Sequence, residues 1–117
     1  MKLCLIGERV SQSYSKEIHN IMGLDYSLVS LKKEELDDFI KNCEYNGFNV
    51  TMPYKKEVMK YLNEIDGDAL KMGAVNVVNI VNGKLYGYNT DFYGMSMLLS
   101  HAGISVKGKK VVILGTG

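Results

Sequence analysis

The chain has 117 residues, 46% of them hydrophobic, and its 14 basic and 13 acidic side chains leave a net charge of +1, a composition suited to one packed globular domain. Arg9 is the sole arginine and the lysines form no stripe, so no nucleic-acid partner is expected. No apolar run approaches the ~18 residues of a membrane span, and Leu3-Cys4-Leu5-Ile6 is too short, and too soon followed by charge, for a signal peptide.

Strands and helices alternate from the N-terminus. Lys2 to Ile6 is an apolar run that stops at Gly7, the signal of a buried strand. Tyr14, Ile18, Ile21 and Met22 then recur at helical spacing, with Gly23 as the stop. Tyr26 to Leu31 is expected as a second strand, and Leu36, Phe39, Ile40 and Cys43 as the inward stripe of a second helix. Gly47 to Val50 returns to strand. Pro53 falls where the first turn of a helix tolerates proline, and Val58, Met59 and Leu62 continue that helix. A short helix near Asp68 to Met72 follows. Val75 to Val81 and Lys84 to Tyr88 flank Asn82-Gly83, a strong hairpin signal. Phe92 to Ala102 is expected as an amphipathic helix through Met95, Leu98, Leu99 and Ala102, with Gly103 beyond it. Val111 to Leu114 reads as a fully apolar strand leading into glycine.

The fold class expected from this order is α/β, a three-layer αβα sandwich whose mostly parallel sheet carries an antiparallel hairpin towards its C-terminal part. The domain boundary is expected between Gly103 and Lys109, giving one unit over 1–103 and a link plus first strand of another over 104–117. Cys4 and Cys43 lack metal-ligand spacing and read as reduced core residues of a cytosolic protein. His19 and His101 are isolated on helices and read as structural, and no metal site is expected.

Several residues carry chemistry. Lys55 stands in the first turn of a helix, where a cation opposes the macrodipole at a cost of about 0.3–1 kcal/mol. That field disfavours the ammonium form, as a general base requires, although a lysine on a helix is more often a solvated surface residue. Asp91 follows Asn89 and Thr90 at the mouth of the hairpin. Any of the three could be an ordinary N-cap, yet one cap does not account for the whole polar series. Ser11, Ser13 and Ser15 alternate before the first helix and could cap it, or could present hydroxyls to a carboxylate. Asn76 and Asn79 are amides in an apolar strand, where buried polar groups need partners. Asn76, just after Gly73-Ala74-Val75, is the better site candidate. Gly115-Thr116-Gly117 opens a G-x-G turn after a strand, without the third glycine and the helix of a full dinucleotide fingerprint.

Taken together, Ser13-Tyr14-Ser15 with Ile18-His19-Asn20, Asn49 to Lys55, Gly73-Ala74-Val75-Asn76 and Gly87-Tyr88-Asn89-Thr90-Asp91 resemble the substrate-binding domain of the shikimate dehydrogenase family. The four ordered motifs span most of the chain. The resemblance implies reversible reduction of 3-dehydroshikimate to shikimate with NADPH in aromatic amino-acid (chorismate) biosynthesis. It implies that Ser13 and Ser15 bind the substrate carboxylate, that Thr51, Asn76 and Asp91 bind ring hydroxyls, and that Lys55 with Asp91 is the catalytic pair at the reacting oxygen. Gly115 and Gly117 would begin an incomplete NADP-binding glycine loop. Two departures stand out: Lys16 where the family usually has Pro, and Phe92-Tyr93 where it usually has a small residue. The alternatives are a shikimate-binding module without turnover and a relative acting on quinate. A cytoplasmic protein is expected, with a possible homodimer formed through an exposed C-terminal strand.

Overall fold

A computed structural model describes residues 1–115. Six strands form one sheet in the order β2-β1-β3-β5-β6-β4. They are β1 (Lys2–Gly7), β2 (Asp25–Ser30), β3 (Gly47–Val50), β4 (Glu64–Ile65), β5 (Val77–Val81) and β6 (Lys84–Tyr88). β1 pairs in parallel with β2 and β3, and β4 with β6, while β5 runs antiparallel to both β3 and β6. One strand thus opposes five, and the sheet is mostly parallel with the expected hairpin built in. Asn82 and Gly83, with φ of 51° and 75°, give the left-handed pair that a tight hairpin turn needs. β4 was not expected: two residues, Glu64 and Ile65, are too few to show a period of two.

The helices are α1 (Ser15–Ile21), α2 (Leu36–Lys41), α3 (Tyr54–Glu57), α4 (Gly67–Met72) and α5 (Asp91–His101). A 3₁₀ turn over Lys33–Glu35 leads into α2, and another over Val58–Tyr61 prolongs α3. Pro53 precedes α3 instead of sitting in its first turn. The layers are unequal. On one face Leu36, Ile40, Tyr54, Val58 and Ala69 pack with Cys4, Ile6, Phe48, Val50 and Val78 of the sheet. On the other, a smaller cluster gathers Leu5, Val10 and Tyr26. Beyond that cluster a groove of about 410 Å³, bordered by Leu3, Val77, Asn79 and Tyr88, runs along the sheet. Asn79 is exposed there, so its amide never had to be satisfied in a core.

Three expectations need correction. The apolar series in α1 does not face the core: Ile18 and Ile21 are 55% and 87% exposed, and His19 is the half-buried residue instead. The stripe of α5 likewise buries no residue fully. Val111–Leu114 is not a strand and its side chains are exposed; a parallel strand draws its hydrogen bonds from neighbours, and none among the described residues adjoins it. Cys4 and Cys43 are free thiols. Burial, then the neighbouring Cys43, pushes the Cys4 thiol up to about 12. Among the described residues no helix is long and apolar enough to cross a membrane.

Candidate functional site

The topology gathers the polar residues at one edge of the sheet. Ser13 and Ser15 follow β1, and Thr51 and Lys55 follow β3. Asp91 follows β6, and Asn76 precedes the antiparallel β5, whose start lies at that same edge. Ligands of open α/β sheets bind outside the carboxyl ends of the strands, beside the point where strand order reverses. Here the order reverses at β1, between β2 and β3. A cleft of about 270 Å³ opens there, lined by Ser13, Ser15, Thr51, Lys55, Asn76 and Asp91, with His19 and Asn49 beside them. All six substrate-site residues expected from the sequence therefore share one cavity.

The geometry is set by a closed hydrogen-bond bracket. Asn89, 4% exposed, donates from Nδ2 to the carbonyl of Ala74 at 2.9 Å, and its Oδ1 accepts from the Asp91 amide at 2.9 Å. This fixes the start of α5 against the segment that carries Asn76 and leads into β5. Asn76 Nδ2 then donates to Asp91 Oδ1 and to Thr90 Oγ1, each at 2.9 Å, and its Oδ1 accepts from the Thr90 amide. Lys55 Nζ reaches Asp91 Oδ2 at 2.7 Å. The main chain of Lys55 is held as well, because its carbonyl accepts from the Val75 amide at 2.8 Å. Helix α3 is one turn long, so the nearby Asp91 carboxylate acts on the ammonium more directly than a macrodipole does.

The serines occupy the opposite side. Ser13 Oγ accepts from the Ser15 amide at 3.2 Å and donates to Ser15 Oγ at 3.0 Å. One serine therefore shapes the start of α1 while both hydroxyls stay half-buried in the cleft wall. Ser11 lies in a separate depression with Glu8, Arg9 and Gln12. Thr51 is placed by a close approach: a Cβ on Gly7 would meet the Thr51 methyl at 2.5 Å and Val10 at 2.9 Å. Three residues were missed by reading the sequence: Asn49, which stood only as the first residue of the Asn49 to Lys55 motif, and Asn89 and His19. Asn89 resembled a simple cap, and nothing local signals its second bond to Ala74. His19, read as structural, reaches the cleft; its spacing four residues after Ser15 was the available sign. Gly115, at φ +95°, lies on the exposed tail and away from the cleft, and Gly117 lies outside the described residues. No group of three or more His, Cys, Asp or Glu among the described residues is placed to hold a metal ion.

Such a cleft can do one kind of chemistry well. It offers neutral donors at one end and an ammonium–carboxylate pair at the other, which suits a small polyhydroxylated acid with a proton to exchange. Comparisons with known proteins point the same way. Residues 5–78 match the family model described as the shikimate dehydrogenase substrate binding domain. A relative from Clostridium botulinum (strain Hall), named shikimate dehydrogenase (NADP(+)), is 44% identical over 97% of this chain and 47% of its own length. The crystal structure of shikimate dehydrogenase 1 from Peptoclostridium difficile superposes with a TM-score of 0.88 at 41% identity, covering 100% of this chain and 47% of that one. Shikimate 5-dehydrogenase from Thermus thermophilus, solved in complex with NADP(H) and shikimate, gives 0.83 at 29% identity, over 91% and 44%. The chain spans about half the length of the curated relatives it matches.

Proposed function

This chain belongs to the family of shikimate dehydrogenase substrate-binding domains, and from that premise we propose that it is the substrate half of an NADP-dependent shikimate dehydrogenase. The reaction of the whole protein would be the reversible reduction of 3-dehydroshikimate to shikimate in aromatic amino-acid biosynthesis, in the cytoplasm. The observation that carries this reading is the convergence of six side chains on one cleft, with Lys55 and Asp91 only 2.7 Å apart. Ser15 donates to the substrate carboxylate, and Ser13 does so once its hydroxyl turns away from Ser15 Oγ. Thr51, Asn76 and Asp91 hold ring hydroxyls. Lys55 gives a proton to the substrate oxygen as it changes from carbonyl to alcohol, and takes one back in the reverse direction. Asp91 keeps the ammonium aimed at that oxygen and bonds the neighbouring hydroxyl.

NADP appears in the names of the relatives, yet the described residues of this chain do not form a dinucleotide site. Such a site needs a strand, a glycine turn and the amide end of a following helix. Val111–Leu114 pairs with no strand among the described residues. This favours a second reading for the 117 residues on their own: they bind shikimate without turning it over. The domain boundary falls after Gly103, with residues 104–117 linking to a cofactor domain, and the partners are the substrate and a second copy of the chain.

Calorimetric titration with shikimate tests the binding, with quinate, which carries one more ring hydroxyl and lacks the ring double bond, as the comparison. Saturable binding of shikimate is expected, and its absence would contradict the proposal. Incubation with NADP⁺ and shikimate should yield no reduced cofactor by absorbance. Turnover would mean that the cofactor site has been misplaced.

A further inference from the structure

A row of contacts behind the cleft joins its two ends. Ser15 accepts at its carbonyl from His19 Nδ1 at 2.6 Å. That bond makes Nδ1 the protonated nitrogen, since a carbonyl can only accept. The His19 ring lies on Tyr26 with centroids 3.9 Å apart and planes 13° from parallel. The Tyr26 hydroxyl donates to Asn49 Oδ1 at 2.6 Å, and Asn49 Nδ2 faces the Asn76 carbonyl at 3.4 Å. Tyr26 is 2% exposed and packs with Leu5 and Val10, so its hydroxyl has little freedom to turn elsewhere.

Two features make the Asn49 carboxamide one-way. The Tyr26 hydroxyl gives its proton to Oδ1. The opposite amide orientation would set Oδ1 against the Asn76 carbonyl, acceptor against acceptor. The long contact to Asn76 satisfies Nδ2 only weakly, which leaves amide protons for a ligand in the cleft that Asn49 lines. Burial, then the nearby Cys4, pushes the Tyr26 phenol up to about 12, so it stays a donor throughout the neutral range.

We propose that Tyr26 is a positioning residue of the cleft: its hydroxyl fixes the Asn49 carboxamide with the NH₂ towards bound ligand, and its ring seats His19, which holds the start of α1 and hence the serine pair. The ligand class is an oxygen-rich small acid, and the inference rests on the functional reading above. Tyr26 touches no ligand itself.

A double-mutant cycle on the full 117-residue chain tests it, with shikimate affinity measured by calorimetry. Tyr26→Phe keeps the ring, the stack and the packing, and removes only the hydroxyl. It should weaken binding about fivefold, the worth of one neutral hydrogen bond. On an Asn49→Ala background the same change should have no further effect, because Tyr26 then has nothing to orient. An unchanged affinity in Tyr26→Phe, or an equal loss on both backgrounds, would overturn the inference while leaving the functional reading intact. Failure of the wild-type chain to bind shikimate would overturn both. Should Tyr26→Phe not fold, the wild-type chain still decides: the Asn49 side-chain amide signals should shift on titration with shikimate, and their indifference would refute the assignment.

Discussion

Both oxygens of the Asp91 carboxylate are engaged, one by Lys55 Nζ at 2.7 Å and the other by Asn76 Nδ2 at 2.9 Å. The lysine and aspartate side chains are 31% and 50% exposed, and ion pairs this wet contribute only about 0–1 kcal/mol to stability. Their value lies in placing charge at a ligand oxygen, and that separates two measurable quantities. Lys55→Met and Asp91→Asn should shift the thermal midpoint little, yet each should weaken shikimate binding by about 1–3 kcal/mol. Lys60, exposed and paired with Glu57 at 3.2 Å, is the control, and Lys60→Met should leave binding within about 0.5 kcal/mol of wild type. Equal losses in all three variants would remove the site assignment. A second prediction at this scale concerns alkaline pH. The fold raises Cys4 from 9.0 and Tyr26 from 10.0, each to about 12, so it favours their protonated forms. That contribution is complete below about pH 9 and is lost as pH rises through about 12. The urea midpoint should fall across this window, and less steeply in Cys4→Ala. A flat midpoint would mean that neither group is buried as described.

Each element reaches the cleft because a particular contact sets its end. Gly7 closes β1 and leaves room for Thr51; a methyl group there would sit 2.5 Å from the Thr51 methyl and 3.1 Å from the Met52 carbonyl. Gly7→Ala should therefore destabilise the fold by about 1–3 kcal/mol, seen in urea unfolding, and should weaken shikimate binding as Thr51 is displaced. Wild-type stability in that variant would show that the end of β3 has slack. Asn89 does the same for α5, and Asn89→Ala should cost about 1 kcal/mol for the lost cap alone. The alternation of strands and helices, the hairpin at Asn82-Gly83 and the six cleft residues were legible in the sequence, since motif and periodicity are local signals. The facing of α1 was not. Its apolar residues follow helical spacing, but the sheet supplies Tyr26 opposite the helix, and a flat aromatic selects the flat ring of His19 over Ile18 or Ile21. The direction of β5 was legible only through its hairpin partner. Its pairing with β3 joins segments far apart in the chain, Gly47 with Asn79 and Asn49 with Val77, which no local pattern encodes.

The molecule measures 47 × 32 × 26 Å, and large apolar side chains are exposed on several of its elements. Ile21 is 87% exposed on α1, Met97 and Leu98 are 69% and 63% exposed on α5, and Ile113 and Leu114 are 80% and 94% exposed on the tail. An exposed apolar segment such as Val111–Leu114 tends to pair with another chain. We expect concentration-dependent dimers by light scattering, lost in a version ending at Gly103 if the tail makes the contact; monomers in both would contradict that expectation. The cleft is separate from these surfaces, and its assignment stands or falls on where shikimate binds. The most direct test is a titration of the isotopically labelled chain with shikimate, followed through its amide signals. The predicted result is saturable shifts at Ser13, Ser15, Thr51, Lys55, Asn76 and Asp91, with the sheet groove at Leu3, Val77 and Tyr88 unmoved. Shifts confined to that groove, or none at saturating shikimate, would contradict the account.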